Sequence, residues 1–228
     1  MSHHEVEKFR LRTRWLHWIV VASAFTLAIT GFFLYMPQIG AVAQDSFTRI
    51  IHRIAAVIFV GAPIIYFFVA PGRSLSFIKD VFSWGTGDIE WLKAAPDYYF
   101  GGDEEKMPAQ PHMNTGQKLF ALVAVFSFIG FLVTGIIMWV FKGSVSPGVF
   151  QGSVLLHDVC FIAGGAMTLL HIYLGSIHPR MTESLRAMIT GKISVEYAKS
   201  HHGKWYKEIA GNEVALEEMA SDEGEKQG

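Results

Sequence analysis

Four long apolar blocks alternate with polar stretches along the chain, and this alternation sets its organisation. The first block covers 15–36 and stops at Pro37. The second covers 50–70, carries Pro63 as a candidate kink, and stops at Pro71-Gly72. The third covers 117–141 and the fourth 154–178. An α-helix needs about twenty apolar residues to cross the hydrocarbon core of a bilayer, and each block reaches that length. The pattern predicts an all-α membrane protein, a four-transmembrane-helix bundle within residues 1–178, with a polar loop over 71–116 and a tail over 179–228. In the loop, Leu75, Phe77, Ile78, Val81 and Phe82, then Trp84, Ile89, Trp91 and Leu92, predict short amphipathic helices lying on the membrane surface or on a partner. In the tail, 182–189 predicts a helix, and the acidic end from Glu217 reads as disordered. The first block is too long for a signal-peptide core, and no small-x-small cleavage site follows it. No internal repeat is visible.

Composition sharpens this picture. The chain has 228 residues, 51% hydrophobic and 17% charged, with mean hydropathy +0.31. A soluble domain is usually about 25% charged. The net charge of −1 gives no reason to expect a nucleic-acid partner. Cys160 is the only cysteine, which excludes an internal disulfide and a cysteine-built zinc or iron–sulfur site. Any metal must therefore be held by histidine, of which there are ten. Charge also sets orientation. Of nineteen Lys and Arg, all but Arg49, Arg53 and Lys142 lie in the N-terminus, the 71–118 segment and the tail. The positive-inside rule then places both termini in the cytoplasm.

That topology gives each histidine of the apolar blocks a depth. His17 opens span one at the cytoplasmic side, and His52 opens span two at the outer side. His157 and His171 share span four, fourteen residues apart. On an α-helix this is about 21 Å of rise and some 40° short of four full turns, so both face nearly the same way at opposite depths. Depth matching pairs His52 with His157 near the outer side and His17 with His171 near the inner side. Histidines inside spans also serve as plain interhelical hydrogen-bonders. Four ionisable groups that sort into two pairs point instead to two b-type haems, each iron taking two axial imidazoles. Gly31, Gly61, Gly135, Gly164 and Gly165 are candidates for making room.

Other residues carry alternatives that the sequence leaves open. Arg14 and Arg53 stand within three residues of a proposed ligand and read either as haem-propionate partners or as interfacial anchors. Asn114-Thr115-Gly116-Gln117-Lys118 precedes span three. It reads as a helix cap or as a quinone carbonyl site, with amide donors from Asn114 and Gln117 and close approach at Gly116. His178 reads as an interfacial residue. His3, His4, His112, His201 and His202 read as surface residues.

The chain resembles the cytochrome b (gamma) subunit of membrane-bound respiratory formate dehydrogenase over nearly its whole length. The resemblance rests on Trp15-Leu16-His17-Trp18, on Arg49-Ile50-Ile51-His52-Arg53, and on Asn114-Thr115-Gly116-Gln117-Lys118. It rests also on His157 and His171 followed by Gly191-Lys192-Ile193-Ser194 and by 198–208, from Ala-Lys-Ser-His-His to Lys-Glu. It implies two haems b on His17, His52, His157 and His171, and a quinone, menaquinone or ubiquinone, at Asn114, Gly116 and Gln117 near His171. It implies partners as well: an iron–sulfur subunit and a molybdenum- or tungsten-containing catalytic subunit, in a bacterial inner membrane. Electrons would enter on the outer side and reduce quinone near the cytoplasm, with formate oxidised on another subunit. Thr115 departs from the family, which often has Ala there, and 96–112 matches nothing in it. A hydrogenase or thiosulfate reductase anchor on the same scaffold is the alternative. A haem-free anchor or transporter is the alternative from a different class.

Overall fold

The computed structural model describes residues 5–36, 38, 46–102 and 107–211. Four helices among them are long and apolar enough to cross a membrane. They are α1 (Leu11–Tyr35), α2 (Ser46–Val69), α5 (Thr115–Trp139) and α6 (Pro147–Ile172). A helix of 25 residues, such as α1, is about 37 Å long. α1 packs on α2 and α5 packs on α6, so the bundle is two antiparallel hairpins. Neither helix of the first hairpin packs its backbone closely on either helix of the second. Side chains bridge the space between hairpins, as where Phe59 of α2 meets Phe128 of α5 with ring centres 5.7 Å apart. The outer faces carry exposed Phe25, Ile29, Phe68, Leu155, Ile162 and Leu169, a surface suited to lipid.

Helix ends follow local chemistry. α6 begins seven residues before the apolar block at 154–178, because Ser146 accepts a hydrogen bond from the Val149 amide and Pro147 takes the first helical position. The predicted turn over 142–153 is correspondingly shorter. α2 runs through Pro63 without interruption, and Pro71 starts the next helix. Beyond Ile172 the chain makes one wider π-helical turn, Tyr173–Ile177, before Pro179 ends it.

The polar parts assemble into a cap at the end of the bundle that carries both terminal segments. It contains α3 (Pro71–Phe82), α4 (Thr86–Tyr99), α7 (Thr182–Thr190), α8 (Val195–His201) and a helical stretch over 203–211. The all-helical expectation needs one addition: strand β1 (Glu5–Glu7) pairs antiparallel with β2 (Lys192–Ser194). Tyr98, Met181, Ala187, Ile193, Tyr197, Ala198 and Trp205 form the cap's core. Gly191 ends α7 in the left-handed conformation (φ 91°), and its carbonyl accepts from the Lys8 and Phe9 amides. A Cβ at Gly191 would stand 2.7 Å from the Phe9 carbonyl oxygen, so glycine is required there on both counts. Ser194 then caps α8 and binds the Glu183 carboxylate through its hydroxyl and its amide.

The structure corrects one reading of the tail. His202 is not a surface residue but 1% exposed. Its Nδ1–H donates to the Pro111 carbonyl and its Nε2 meets the Lys8 amine. Burial drives the His202 pKa down to about 2 and that of Lys8 down to about 7. His112 stands edge-on to Trp205 and Phe9 in the same cluster, and burial lowers its pKa as well. His3, His4 and the acidic end beyond Glu217 lie outside the described residues.

Candidate functional site

The four intramembrane histidines come from three helices: His17 from α1, His52 from α2, and His157 and His171 from α6. All four are half-buried. His17 and His171 face one another across the space between hairpins with ring centres 6.5 Å apart. Two imidazoles on opposite sides of one metal, each bonded at about 2 Å, have centres about 6 Å apart, so the separation fits a shared iron. The Nδ1 of His17 is buried without a hydrogen-bond partner, another mark of a pocket built for a group beyond the chain. His171 stacks on Phe120 of α5, 4.2 Å centre to centre and 9° from parallel.

The pair farther from the cap is held differently. His52 and His157 lie within electrostatic reach of one another. Each binds a threonine on its hairpin partner: Thr30 Oγ1 lies 2.8 Å from His52 Nδ1, and Thr134 Oγ1 lies 2.8 Å from His157 Nδ1. Thr30 and Thr134 are 7% and 1% exposed. Sequence reading missed both, because a threonine inside an apolar run looks like any residue bonded to its own helix. Gly31 lies directly against His52, whereas a Cβ at Gly61, Gly135 or Gly165 would meet no atom within 4 Å. The Phe59–Phe128 pair sits between the two histidine levels, since Phe59 lies about 10 Å along α2 from His52.

Arg14 donates from Nη1 to the Thr190 carbonyl at 2.7 Å, and its buried Nε has no partner. Arg53 lies over the Trp139 ring at 5.2 Å. Both geometries anchor helix ends, and the Arg14 Nε remains a free donor at the His17 end of the bundle.

Asn114 and Gln117 form a reciprocal cap on α5. Asn114 Oδ1 accepts from the Gln117 amide at 2.8 Å, and Gln117 Oε1 accepts from the Asn114 amide at 3.0 Å. The cap uses the side-chain oxygens and leaves both amide NH2 groups as donors. Gly116 admits Trp91, whose ring would stand 2.9 Å from a Cβ at that position. Phe120, on which His171 stacks, lies one turn beyond Gln117, so the helix cap and His171 belong to the same end of the bundle.

Beneath the cap lies a network of residues far apart in the chain. Asp88 accepts from Lys118 Nζ at 3.0 Å and from Thr115 Oγ1 at 2.7 Å, and Gln110 Oε1 accepts from the Thr115 amide at 3.0 Å. Burial alone would raise the Asp88 pKa. Hydrogen bonds from Thr115, Lys118 and the Gly85 amide outweigh it and hold the carboxyl below its ordinary value. His178 is buried beside Tyr99, whose carbonyl lies 3.4 Å from its Nε2.

Comparison with known proteins places this arrangement. The family model for prokaryotic cytochrome b561 matches residues 8–191. The chain is similar to the nitrate-inducible formate dehydrogenase cytochrome b556(Fdn) subunit of Escherichia coli strain K12, with 29% identity over 227 residues, 95% of this chain and 98% of the relative. It is similar to the formate dehydrogenase cytochrome b556 subunit of Haemophilus influenzae at 27% identity, covering 88% of this chain and 82% of the relative. It is also similar to the cytochrome b556(fdo) subunit of Escherichia coli strain K12 at 26% identity, covering 85% and 88%. With four apolar helices, paired histidines between hairpins and a family match across most of its length, the chain belongs to the prokaryotic cytochrome b561 family.

Proposed function

We propose that the chain is the di-haem cytochrome b subunit of a membrane-bound formate dehydrogenase in the bacterial inner membrane. In this reading His52 and His157 hold an outer haem b, and His17 and His171 hold an inner one. Each haem, when bound, supplies a one-electron ferric–ferrous couple. The observation that carries the reading is the pairing of histidines between two hairpins whose backbones stand apart, with His17 and His171 at a separation suited to one iron. The named relatives support formate as the ultimate donor.

The charge distribution supports a cytoplasmic cap and cytoplasmic termini. An iron–sulfur subunit then delivers electrons at the outer end, from a molybdenum- or tungsten-containing subunit where formate is oxidised. α6 would carry the second ligand of each haem, His157 and His171, about 21 Å apart along its axis. At the inner end a quinone, menaquinone or ubiquinone, takes two electrons and two protons to become a quinol. The free amide donors of Asn114 and Gln117 bind its carbonyl, with Gly116 in the same turn and His171 beyond it. Arg14 and Arg53 stand near the inner and outer ligands respectively as propionate partners. Electrons moving inward, with protons taken from the cytoplasm, separate charge across the membrane, worth about 2.3 kcal/mol per charge at 100 mV.

The test is a reduced-minus-oxidised spectrum of membranes carrying the complex. Formate should bring up a b-type α-band, and added quinone should bleach it. Absence of the band would remove the haem reading. A band reduced by hydrogen or by another donor, but not by formate, would move the chain to a hydrogenase or thiosulfate reductase anchor.

A further inference from the structure

The two outer histidines are bonded in the same way, from two different hairpins. Thr30 Oγ1 lies 2.8 Å from His52 Nδ1 and 2.7 Å from the Thr26 carbonyl oxygen. Thr134 Oγ1 lies 2.8 Å from His157 Nδ1 and 2.6 Å from the Gly130 carbonyl oxygen. A hydroxyl has one hydrogen, and a carbonyl oxygen only accepts. The hydroxyl hydrogen therefore goes to the carbonyl, and the threonine oxygen accepts from the imidazole Nδ1–H. This fixes the tautomer of both rings: Nδ1 carries the proton and Nε2 keeps its lone pair. Both bonds lie inside a hairpin, so each ring is oriented before anything enters the space between hairpins.

The inner histidines have no counterpart. His17 Nδ1 is buried and unpartnered, and His171 is positioned by stacking on Phe120. Among the described residues no threonine or serine hydroxyl bonds either ring.

We propose that Thr30 and Thr134 are positioning residues that set the outer haem's redox couple below the inner one. The inference rests on the haem assignment above. A ligand imidazole that donates its second N–H to an acceptor is a stronger base toward its metal. Stronger donation favours the ferric state and lowers the reduction potential, ligand basicity being one of the protein's levers on haem. Two such bonds act on the outer iron and none on the inner. With both haems bound, an electron passing inward would oxidise the outer iron from ferrous to ferric and reduce the inner iron from ferric to ferrous, with no bond or proton exchanged. The asymmetry would make that transfer downhill.

The test is a spectroscopic redox titration of the purified complex carrying Thr30→Val, Thr134→Val or both, with Thr→Ser variants at each site beside them. Valine keeps the shape and removes the acceptor; serine keeps the acceptor. The outer midpoint should shift upward in each valine variant, further in the double variant, and return in the serine variants, with the inner midpoint unmoved. Haem transfer to apomyoglobin should also show the outer haem held about tenfold to a hundredfold more weakly in the valine variants. If a valine variant does not assemble, Thr→Ala at the same position gives the same readout. Unmoved outer midpoints in variants that bind both haems would overturn the inference, as would a shift that serine fails to reverse. Neither result touches the haem assignment, which is tested separately by haem content of the unmodified complex and of its histidine variants.

Discussion

The outer and inner histidine pairs use the same side chain at the same kind of helical position, yet the protein holds them by opposite means. The outer imidazoles are hydrogen-bonded by two buried hydroxyls and sit among apolar residues. The inner ones are positioned by stacking and by an edge contact with Trp18, and they adjoin the polar cap with its Asp88–Lys118 pair and the Asn114–Gln117 helix cap. A fixed, dry site suits a fixed electron relay. A site whose rings carry fewer constraints, beside amide donors and titratable groups, suits a place where a mobile quinone arrives and protons are needed. One helix, α6, serves both. The difference therefore comes from what its neighbours offer: Thr134 of α5 at one depth and Phe120 of the same helix at the other.

The most damaging way to break the inner half of this comparison is Lys118→Met. It leaves Asp88 buried without its cation, since both side chains are under 10% exposed. Removing one partner of a buried pair costs about 3–5 kcal/mol. Denaturation of the detergent-solubilised protein, followed by tryptophan fluorescence, should register that loss. The inner haem band should broaden while the outer band keeps its position. A variant as stable as the parent would show that the pair does not support the inner end.

A smaller effect follows from acid. His202 and Lys8 have pKa values below their ordinary ones, so the unfolded chain binds protons that the folded cap does not. Stability then rises with pH wherever the unfolded state holds more protons. For His202 the window runs from about 2 up to its ordinary 6.5, and for Lys8 from about 7 up to 10.5. Protection of the cap from amide hydrogen exchange, corrected for the intrinsic exchange rate, should be greatest at about pH 10.5, fall as pH drops toward 7, and fall again below 6.5, while the helices around the His52 and His157 pair stay unchanged. Lys8→Met should abolish the upper part of this dependence. Equal acid sensitivity at both ends would erase the distinction between a dry outer site and a polar inner one.

The four membrane helices were legible because span length and apolar runs are properties of single segments. The facing of His17 and His171 was legible because helical rise and chain direction fix depth without any knowledge of packing. Ser146-Pro147 was a readable helix start that apolar counting alone passes over. What escaped notice depends on contacts between segments far apart in the chain. Thr30 and Thr134 gain meaning only when the hairpins close and bring each beside a histidine over twenty positions away. Lys8 stands in a basic run typical of a membrane flank, and its burial comes from a tail nearly two hundred residues later. The strands β1 and β2 are three residues each, too short for any periodicity to register.

In the proposed function, depth and not sequence order assigns the ligands: one haem on His52 and His157, another on His17 and His171. Haem quantitation by pyridine haemochrome, with a redox titration of what remains, tests it in His52→Ala. Two haems b per chain are expected in the unmodified protein. In the variant one haem should remain, with the inner midpoint of the unmodified protein, still oxidised by quinone. A variant that keeps both haems, or whose remaining haem is no longer oxidised by quinone, would contradict this assignment.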